Sequence, residues 1–326
     1  MLNLDNKTIL LTGGTGSFGK NFAKYLLKNF NLKKLIIFSR DELKQFNMQR
    51  ELNDSRLRFF IGDVRDVERL ERAFDGVDIV IHAAALKQVP ILEYNPFEAV
   101  KTNIVGSQNV VNVAIDRGLE KVLLISTDKA AQPVNLYGAT KLCAEKLFVS
   151  GNSYSGGKTK FSCVRYGNVL GSRGSIVETL LNKKDIDKVQ ITDVNMTRFW
   201  ITLEQAFNLV MFALENMEGG EIFVPKIPSM KLVDLFDTIT PGIEKEIIGI
   251  RPGEKLHEVL LTEQESRHAL SLENYYVILP EFMNEGKYKK HNEIGKSLEK
   301  DFRFASNMNE NWLEKEKLQI LITELK

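Results

Sequence analysis

The sequence predicts an α/β fold: a doubly wound, mostly parallel sheet joined to a smaller mixed α/β region. Three observations carry that expectation. Short apolar runs alternate with helix-length amphipathic segments through the first half of the chain. A glycine-rich turn, GGTGSFG, follows the first run and opens the first helical segment. Beyond Gly167 the alternation loosens into stretches rich in Gly, Asn and Pro.

The elements follow in order. Thr8 to Thr12 (TILLT) is an apolar run short enough for a buried parallel strand. Ser17 to Phe30 places Phe18, Phe22, Tyr25 and Leu26 at helical spacing. Further strands are expected at Lys34 to Ser39, Arg58 to Ile61, Asp78 to Ala83, Lys121 to Ser126 and Phe161 to Tyr166, with helices between them. Strands separated by helix-length segments imply right-handed crossovers and a parallel sheet. In the second half the pattern predicts a helix over Leu203 to Asn216 and one more strand over Glu221 to Val224. Pro225, Pro228, Pro241 and Pro252 then punctuate a smaller mixed region. From about Glu281 the chain is Lys/Glu/Asn-rich, a partly ordered tail with Trp312, Leu313 and the closing ILITEL run docking as a helix.

Composition narrows the class. The 326 residues suffice for about two domains. Lys and Arg total 44 against 43 Asp and Glu, a net charge of +1, which excludes a nucleic-acid binder by bulk charge. Two cysteines, Cys143 and Cys163, exclude a disulfide framework and are read as buried packing residues. The four histidines are scattered without ligand spacing, so no metal is expected, and His82 reads as a strand-end core residue. The apolar run Phe207 to Leu214 is too short to cross a bilayer, and the N-terminus lacks the pattern of a signal peptide. The expectation is a cytoplasmic protein with no membrane contact.

The glycine turn carries the first functional reading. Gly13, Gly16 and Gly19 (with Gly14 inside) let the chain turn tightly and bring a pyrophosphate to the helix N-terminus, where free N–H groups favour an anion. That is the dinucleotide site of a Rossmann sheet; a merely flexible turn is the alternative. The second strand ends in Ser39-Arg40, with no carboxylate to repel a 2′-phosphate. Arg40 can pair with that phosphate and Ser39 can donate to it, so NADP is expected over NAD; a solvated loop arginine is the alternative. Asp63-Val64 after the third strand is placed to cap the adenine edge, unless Asp63 caps the helix beginning near Val67.

A second constellation follows the fifth strand. Tyr137 and Lys141 stand at YxxxK spacing, which puts them on one helical face. An ammonium there lowers a phenol toward use as a base; an ordinary surface Tyr–Lys pair is the alternative. Ser126-Thr127-Asp128-Lys129 directly follows the strand, where open sheets bind ligands. Alcohol oxidation needs only the tyrosine and a hydroxyl donor. The added Asp128-Lys129 pair points to a proton abstraction with a protonated leaving group, or else to a local salt bridge.

With these motifs the chain resembles the extended short-chain dehydrogenase/reductases. GGTGSFG, SRDELKQ, FFIGDVRD, HAAALKQVP, STDKA, NLYGATK, VRYGNVLGSRGS, MTRFWIT, GGEIFVPKIPSMK and IGIRPGEKLHE together resemble the inverting UDP-N-acetylglucosamine 4,6-dehydratases that open pseudaminic acid synthesis. Gln88 departs from the His of several such enzymes, and Tyr137 separates the chain from a branch with Met there. The resemblance implies that Tyr137 takes the sugar 4-OH proton, Thr127 holds the 4-oxygen, and Lys141 holds the nicotinamide ribose. Lys129, held neutral by burial and by positive neighbours, would remove the C5 proton, and protonated Asp128 would supply the departing 6-OH. Further cofactor contacts implied are Thr15, Ser17, Phe18, Asp41, Lys44, Ala83 and Lys87. Lys87 and Asn168 would flank the sugar, Arg198 and Arg251 the diphosphate and ribose, and Glu254 a ribose hydroxyl. Residues 1–168 with about 200–224 would form the NADP domain, 169–199 and 225–290 the UDP-sugar domain, and 291–326 a tail. Two helices near Phe97 to Ile115 and Tyr137 to Ser150 would pair across a two-fold axis, making a dimer or a hexamer. A UDP-sugar epimerase, which would not need the Asp128-Lys129 pair, and a non-catalytic NADP sensor are the competing readings.

Overall fold

The computed structural model describes residues 3–172, 174–182, 187–281 and 288–325. Arg173 of the VRYGNVLGSRGS run lies outside the described residues, as do parts of the 169–199, 225–290 and 291–326 spans.

The first half runs β1 (Thr8–Thr12), α1 (Ser17–Asn29), β2 (Lys34–Ser39), α2 (Glu42–Leu52), β3 (Leu57–Ile61), α3 (Val67–Ala73), β4 (Ile79–His82), α4 (Val89–Tyr94), α5 (Pro96–Ala99), a π-helical stretch (Val100–Val105), α6 (Gly106–Asp116), β5 (Lys121–Ile125), a 3-10 turn (Asp128–Ala130), α7 (Leu136–Tyr154) and β6 (Lys160–Val164). The second half runs β7 (Asn168–Val169), α8 (Ile176–Asn182), β8 (Lys188–Ile191), β9 (Thr197–Ile201), α9 (Leu203–Asn216), β10 (Ile222–Pro225), β11 (Ser229–Lys231), α10 (Leu232–Ile239), β12 (Glu244–Ile247), β13 (Val259–Leu261), α11 (Glu263–Ser266), β14 (Ala269–Ser271) and β15 (Tyr275–Ile278). It closes with α12 (Lys289–Ile294), β16 (Lys296–Ser297), β17 (Phe304–Ala305) and α13 (Lys315–Leu325).

Among the described residues, ten strands form the main sheet in the order β16-β14-β15-β10-β6-β5-β4-β1-β2-β3. From β3 to β10 neighbouring strands are parallel, and β15, β14 and β16 extend the edge antiparallel. Strands β1, β4 and β5 are almost wholly apolar and buried on both faces, as helices on both sides of a parallel sheet require. Strand order reverses between β1 and β4, which opens a crevice at their carboxyl ends.

Three strands were beyond reach of the apolar pattern because they are two residues long, β7, β16 and β17. A second core, around Leu170, Val177, Ile191, Trp200, Met230, Leu235 and Phe236, underlies the smaller lobe. The segment 291–326 is distributed over the molecule: β16 joins the main sheet, β17 pairs with β13, and α13 buries Leu318 and Ile322 in the second core. Leu313 is buried there too, while Trp312 stays exposed. The helix expected over Phe97 to Ile115 is one continuous run interrupted by its π-helical stretch. That stretch aims Asn103 at the chain after β4: its Nδ2 donates to Leu86 O and its Oδ1 accepts from Leu86 N. Cys143, expected inside, is exposed on α7, and Cys163 is buried. No described helix is long and apolar enough to cross a membrane.

Candidate active site

A cleft of about 1160 Å³ runs across the carboxyl ends of the parallel strands. Gly13, Thr15, Gly16, Ser17, Phe18, Gly19, Ser39, Arg40, Asp41, Lys44, Asp63, Val64, Ala83, Lys87, Thr127, Lys129, Tyr137, Lys141, Asn168, Arg198 and Glu254 all line it. Two expected residues do not. Asp128 is fully buried behind Thr127. Arg251 is exposed on the turn whose carbonyl accepts from Glu254 N, away from the cleft wall.

One end of the cleft is built from backbone. Gly16 precedes α1 with no side-chain cap and no acidic residue in the first turn, so the helix presents its N–H end to the cleft. Glycine is required at Gly19, where a Cβ would lie 2.6 Å from Gly14 Cα and push the loop off the helix. This uncapped, positively polarised end fits the pyrophosphate of a dinucleotide. Around it, Gln45 donates to Ser39 Oγ at 3.0 Å, leaving the serine proton free to be donated. Arg40 Nη1 lies 3.6 Å from Asp63 Oδ2, and Arg65 holds the same oxygen at 2.8 Å. Asp63 is not the cap of α3; Asp66 is, accepting from Arg69 N at 3.0 Å. Asp41 caps α2 and pairs with Lys44.

The other end gathers the ionisable groups. Asn135 caps α7 by accepting from Gly138 N at 2.8 Å, and its Nδ2 donates to Gly253 O. The 3-10 turn lies so close on α7 that a Cβ at Gly138 would meet Lys129 O at 2.1 Å. That approach explains a glycine directly after Tyr137, and it sets the 3-10 turn beside the start of α7, where Tyr137 and Thr127 both line the cleft. Thr127 Oγ1 donates to Asp128 Oδ1 at 2.9 Å. Lys129 Nζ donates to that same oxygen at 3.0 Å and approaches Asn168 Oδ1 at 3.4 Å. Asn168 comes from β7, which runs parallel to β9, the strand of Arg198.

Charge states differ from expectation in two places. Lys129 was expected to be neutral. Burial does pull it down, but Asp128 and Glu258 outweigh that, and its pKa is raised. Tyr137 was expected to be lowered by Lys141. Instead burial pushes it up to about 12, with Lys129 the opposing cation. Lys141 donates to Ile125 O at 2.8 Å and is itself brought down to about 8, mainly by burial. Asp128 is raised, first by burial and further by Glu258, as a proton donor requires. His82 is buried between Thr12 and Ser107 and falls to about 3 through burial.

Several residues escaped the sequence reading. Glu258, buried, stands 3.5 Å from Lys129, 3.3 Å from Lys255 and 3.9 Å from Arg198. Its only sequence signal was its place at the end of IGIRPGEKLHE. Arg165 forms a buried tie between Glu145 of α7 (2.7 Å) and Glu265 of α11 (2.8 Å), and Ser126 donates to Glu145 at 2.5 Å. Far from the cleft, Glu218, Glu221 and His291 come together although the sequence scatters the histidines. There the Glu221 carboxylate already accepts from Glu218 N, Gly219 N and Ser162 Oγ and faces His291 Nε2 at 3.1 Å.

Known proteins resemble this chain over most of its length. A family model described as "Polysaccharide biosynthesis protein" matches residues 9–280. A UDP-N-acetylglucosamine 4,6-dehydratase (inverting) of Campylobacter jejuni is 50% identical over 97% of this chain and 98% of its own. A UDP-glucose 4-epimerase of Rickettsia conorii is 42% identical over 84% of this chain and 83% of its own. The X-ray structure of Pen from Bacillus thuringiensis superposes with a TM-score of 0.91 at 38% identity, covering all of both chains. A fold shared end to end, a family model spanning most of the chain and near-complete coverage at 50% identity lead to one conclusion: the chain belongs to the polysaccharide biosynthesis protein family, on an extended short-chain dehydrogenase/reductase fold.

Proposed function

We propose that this chain is a UDP-N-acetylglucosamine 4,6-dehydratase, a hydro-lyase that inverts C5. The observation that carries the reading is the Thr127-Asp128-Lys129 turn seated against Tyr137. It supplies a second acid–base centre beside the one that alcohol oxidation needs. The full-length likeness to the Campylobacter jejuni dehydratase supports it.

The glycine cradle, Ser39 and Arg40 fit a nicotinamide dinucleotide, and Arg40 without a strand-end carboxylate favours NADP. When bound, such a cofactor would supply the hydride acceptor for C4 and the hydride donor for C6. Thr15, Ser17, Phe18, Asp41, Lys44, Val64, Ala83 and Lys87 complete its wall, and Lys141 would hold the ribose. Lys87, Asn168, Arg198 and Glu254 would take the UDP-sugar, with Arg251 reaching it only if its turn moves inward.

Tyr137 Oη takes the 4-OH proton as its phenolate, a form that burial opposes and the Lys129 ammonium favours, with Thr127 on the same sugar oxygen. The C4 ketone acidifies C5–H. Lys129 is charged in the free protein, so it becomes a base by passing a proton across 3.0 Å to Asp128 Oδ1. That transfer makes both required partners at once: a neutral amine for C5–H and a carboxylic acid for the departing 6-OH. The proton count closes when Tyr137 returns its proton to C5, since Lys129 has already regained its charge from C5–H and Asp128 its carboxylate by protonating the 6-oxygen. We further propose self-association through α4 to α7, whose Ile91, Tyr94, Phe97 and Val105 are exposed.

The test is direct. Purified protein with UDP-N-acetylglucosamine should release one water per sugar by mass spectrometry. In D₂O it should place deuterium at C5 with inverted configuration. A C4 epimer without mass loss would instead establish the epimerase reading.

A further inference from the structure

We propose that Glu258 is a positioning residue for the C5 proton transfer: opposite Asp128 it holds the Lys129 ammonium from a second side, and its negative charge governs the proton shared by Lys129 and Asp128. This rests on the dehydratase reading for its catalytic consequence, while the electrostatic clamp itself does not.

Lys129 Nζ sits 3.0 Å from Asp128 Oδ1 and 3.5 Å from Glu258 Oε1, and both carboxylates are buried. Glu258 Oε2 faces the Lys255 ammonium at 3.3 Å, and Asp128 Oδ2 is buried without a hydrogen-bond partner. A buried carboxylate oxygen left so acts on its surroundings mainly through charge. The Glu258 backbone is tied on both sides. Its N–H donates to Ser306 Oγ at 3.0 Å and its carbonyl accepts from Ser306 N at 2.8 Å. It immediately precedes β13, which pairs with β17. The C-terminal segment therefore anchors the main chain from which the carboxylate reaches Lys129, Arg198 and Lys255. Ser306 Oγ also lies 2.6 Å from Thr197 Oγ1, beside Arg198 on β9, so the same tie sets the guanidinium next to Glu258.

The titratable and charged groups facing this centre are Asp128 and Lys129 from the 3-10 turn, Lys87 from the chain after β4, Tyr137 from α7, Arg198 from β9, and Lys255 and Glu258 from the chain before β13. Removing the Glu258 charge leaves Asp128 alone among Lys129, Arg198 and Lys255. Lys129 then loses its proton at lower pH, because an attractive neighbour has gone. Asp128 also loses its proton at lower pH, because a repulsive one has gone. Base and acid forms therefore both move toward acid, and the whole active window moves with them.

The experiment compares wild type, Glu258→Gln and Glu258→Asp. Side-chain ¹⁵N NMR of the substrate-free protein follows the Lys129 amine, assigned through Lys129→Arg. The Gln variant should titrate lower by about one pH unit or more, and the Asp variant should stay near wild type. The pH profile of deuterium entry at C5 of UDP-N-acetylglucosamine should shift toward acid in the Gln variant and be rescued in the Asp variant. Identical Lys129 titrations in wild type and Glu258→Gln would overturn the clamp. A wild type that neither exchanges C5 nor releases water would overturn the dehydratase reading and this role in it, and the NMR titration would still decide the clamp.

Discussion

On the proposed reading, Arg40 and Lys129 divide cofactor choice and proton transfer between two single side chains. Arg40 is half exposed and lightly held by Asp63, so its guanidinium is available to a 2′-phosphate. Arg40→Asp should weaken NADP binding by about 1.5–3 kcal/mol, the value of a charge-assisted hydrogen bond, and spare NAD. Unchanged NADP affinity in titration calorimetry would remove Arg40 from the site. At the other end, Tyr137→Phe should abolish reduction of the nicotinamide by substrate. Lys129→Met, which keeps bulk, should permit that first reduction yet cut water release by roughly a hundredfold or more. Equal loss of both steps in Lys129→Met would deny the lysine a separate role.

At the scale of elements, buried polar ties hold the catalytic helix and strands in place. Arg165 at the end of β6 joins α7 to α11 through Glu145 and Glu265. Replacing it with Met leaves two carboxylates without their cation, a loss of about 3–5 kcal/mol. Urea unfolding of Arg165→Met with an unchanged midpoint would show that the tie contributes little. His82 joins β1 and α6 through Thr12 and Ser107. Its pKa falls from 6.5 to about 3 on folding, so the unfolded chain takes the proton first. Stability is therefore full above the unfolded value and declines as pH falls from 6.5 toward 3, by up to about 1.4 kcal/mol per unit. His82→Gln should flatten that part of the curve of urea midpoint against pH; an unaltered slope would mean that other groups set it.

Over the whole molecule, the main sheet presents a cleft while α4 to α7 carry apolar side chains to the surface. Tyr94 is 87% exposed and Phe97 65%. Large apolar groups clustered on neighbouring helices mark an association surface. The protein should run as a dimer or larger assembly in light scattering at micromolar concentration, and Phe97→Glu with Val105→Glu should shift it toward monomer. A wild-type monomer would exclude this surface as a stable interface. The C-terminal segment belongs to the same scale, since Ser306 and β17 brace Glu258 from far along the chain. Removal of the segment after Asp301 should therefore disturb the Lys129 centre as well as the second core.

What the sequence determined alone was the local and periodic part. The parallel strands, the glycine turn on α1 and the Tyr137/Lys141 face follow from apolar spacing and from motifs confined to a few neighbouring residues. Lys129 follows in the same way, because residues after β5 emerge at the crevice, whereas Asp128 turns inward and is fully buried. Tertiary structure decided what depends on distant partners. Lys129 stays charged because its neighbour Asp128 and, more than a hundred residues later, Glu258 both flank its ammonium. Asp63 lost the cap of α3 to Asp66 through a shift of a few residues that periodicity cannot resolve. Strands of two residues, β7 and β17, carry too little pattern to be read, yet one presents Asn168 and the other anchors Glu258. Burial and long-range charge set the proton at each catalytic atom, and neither is a property of adjacent residues.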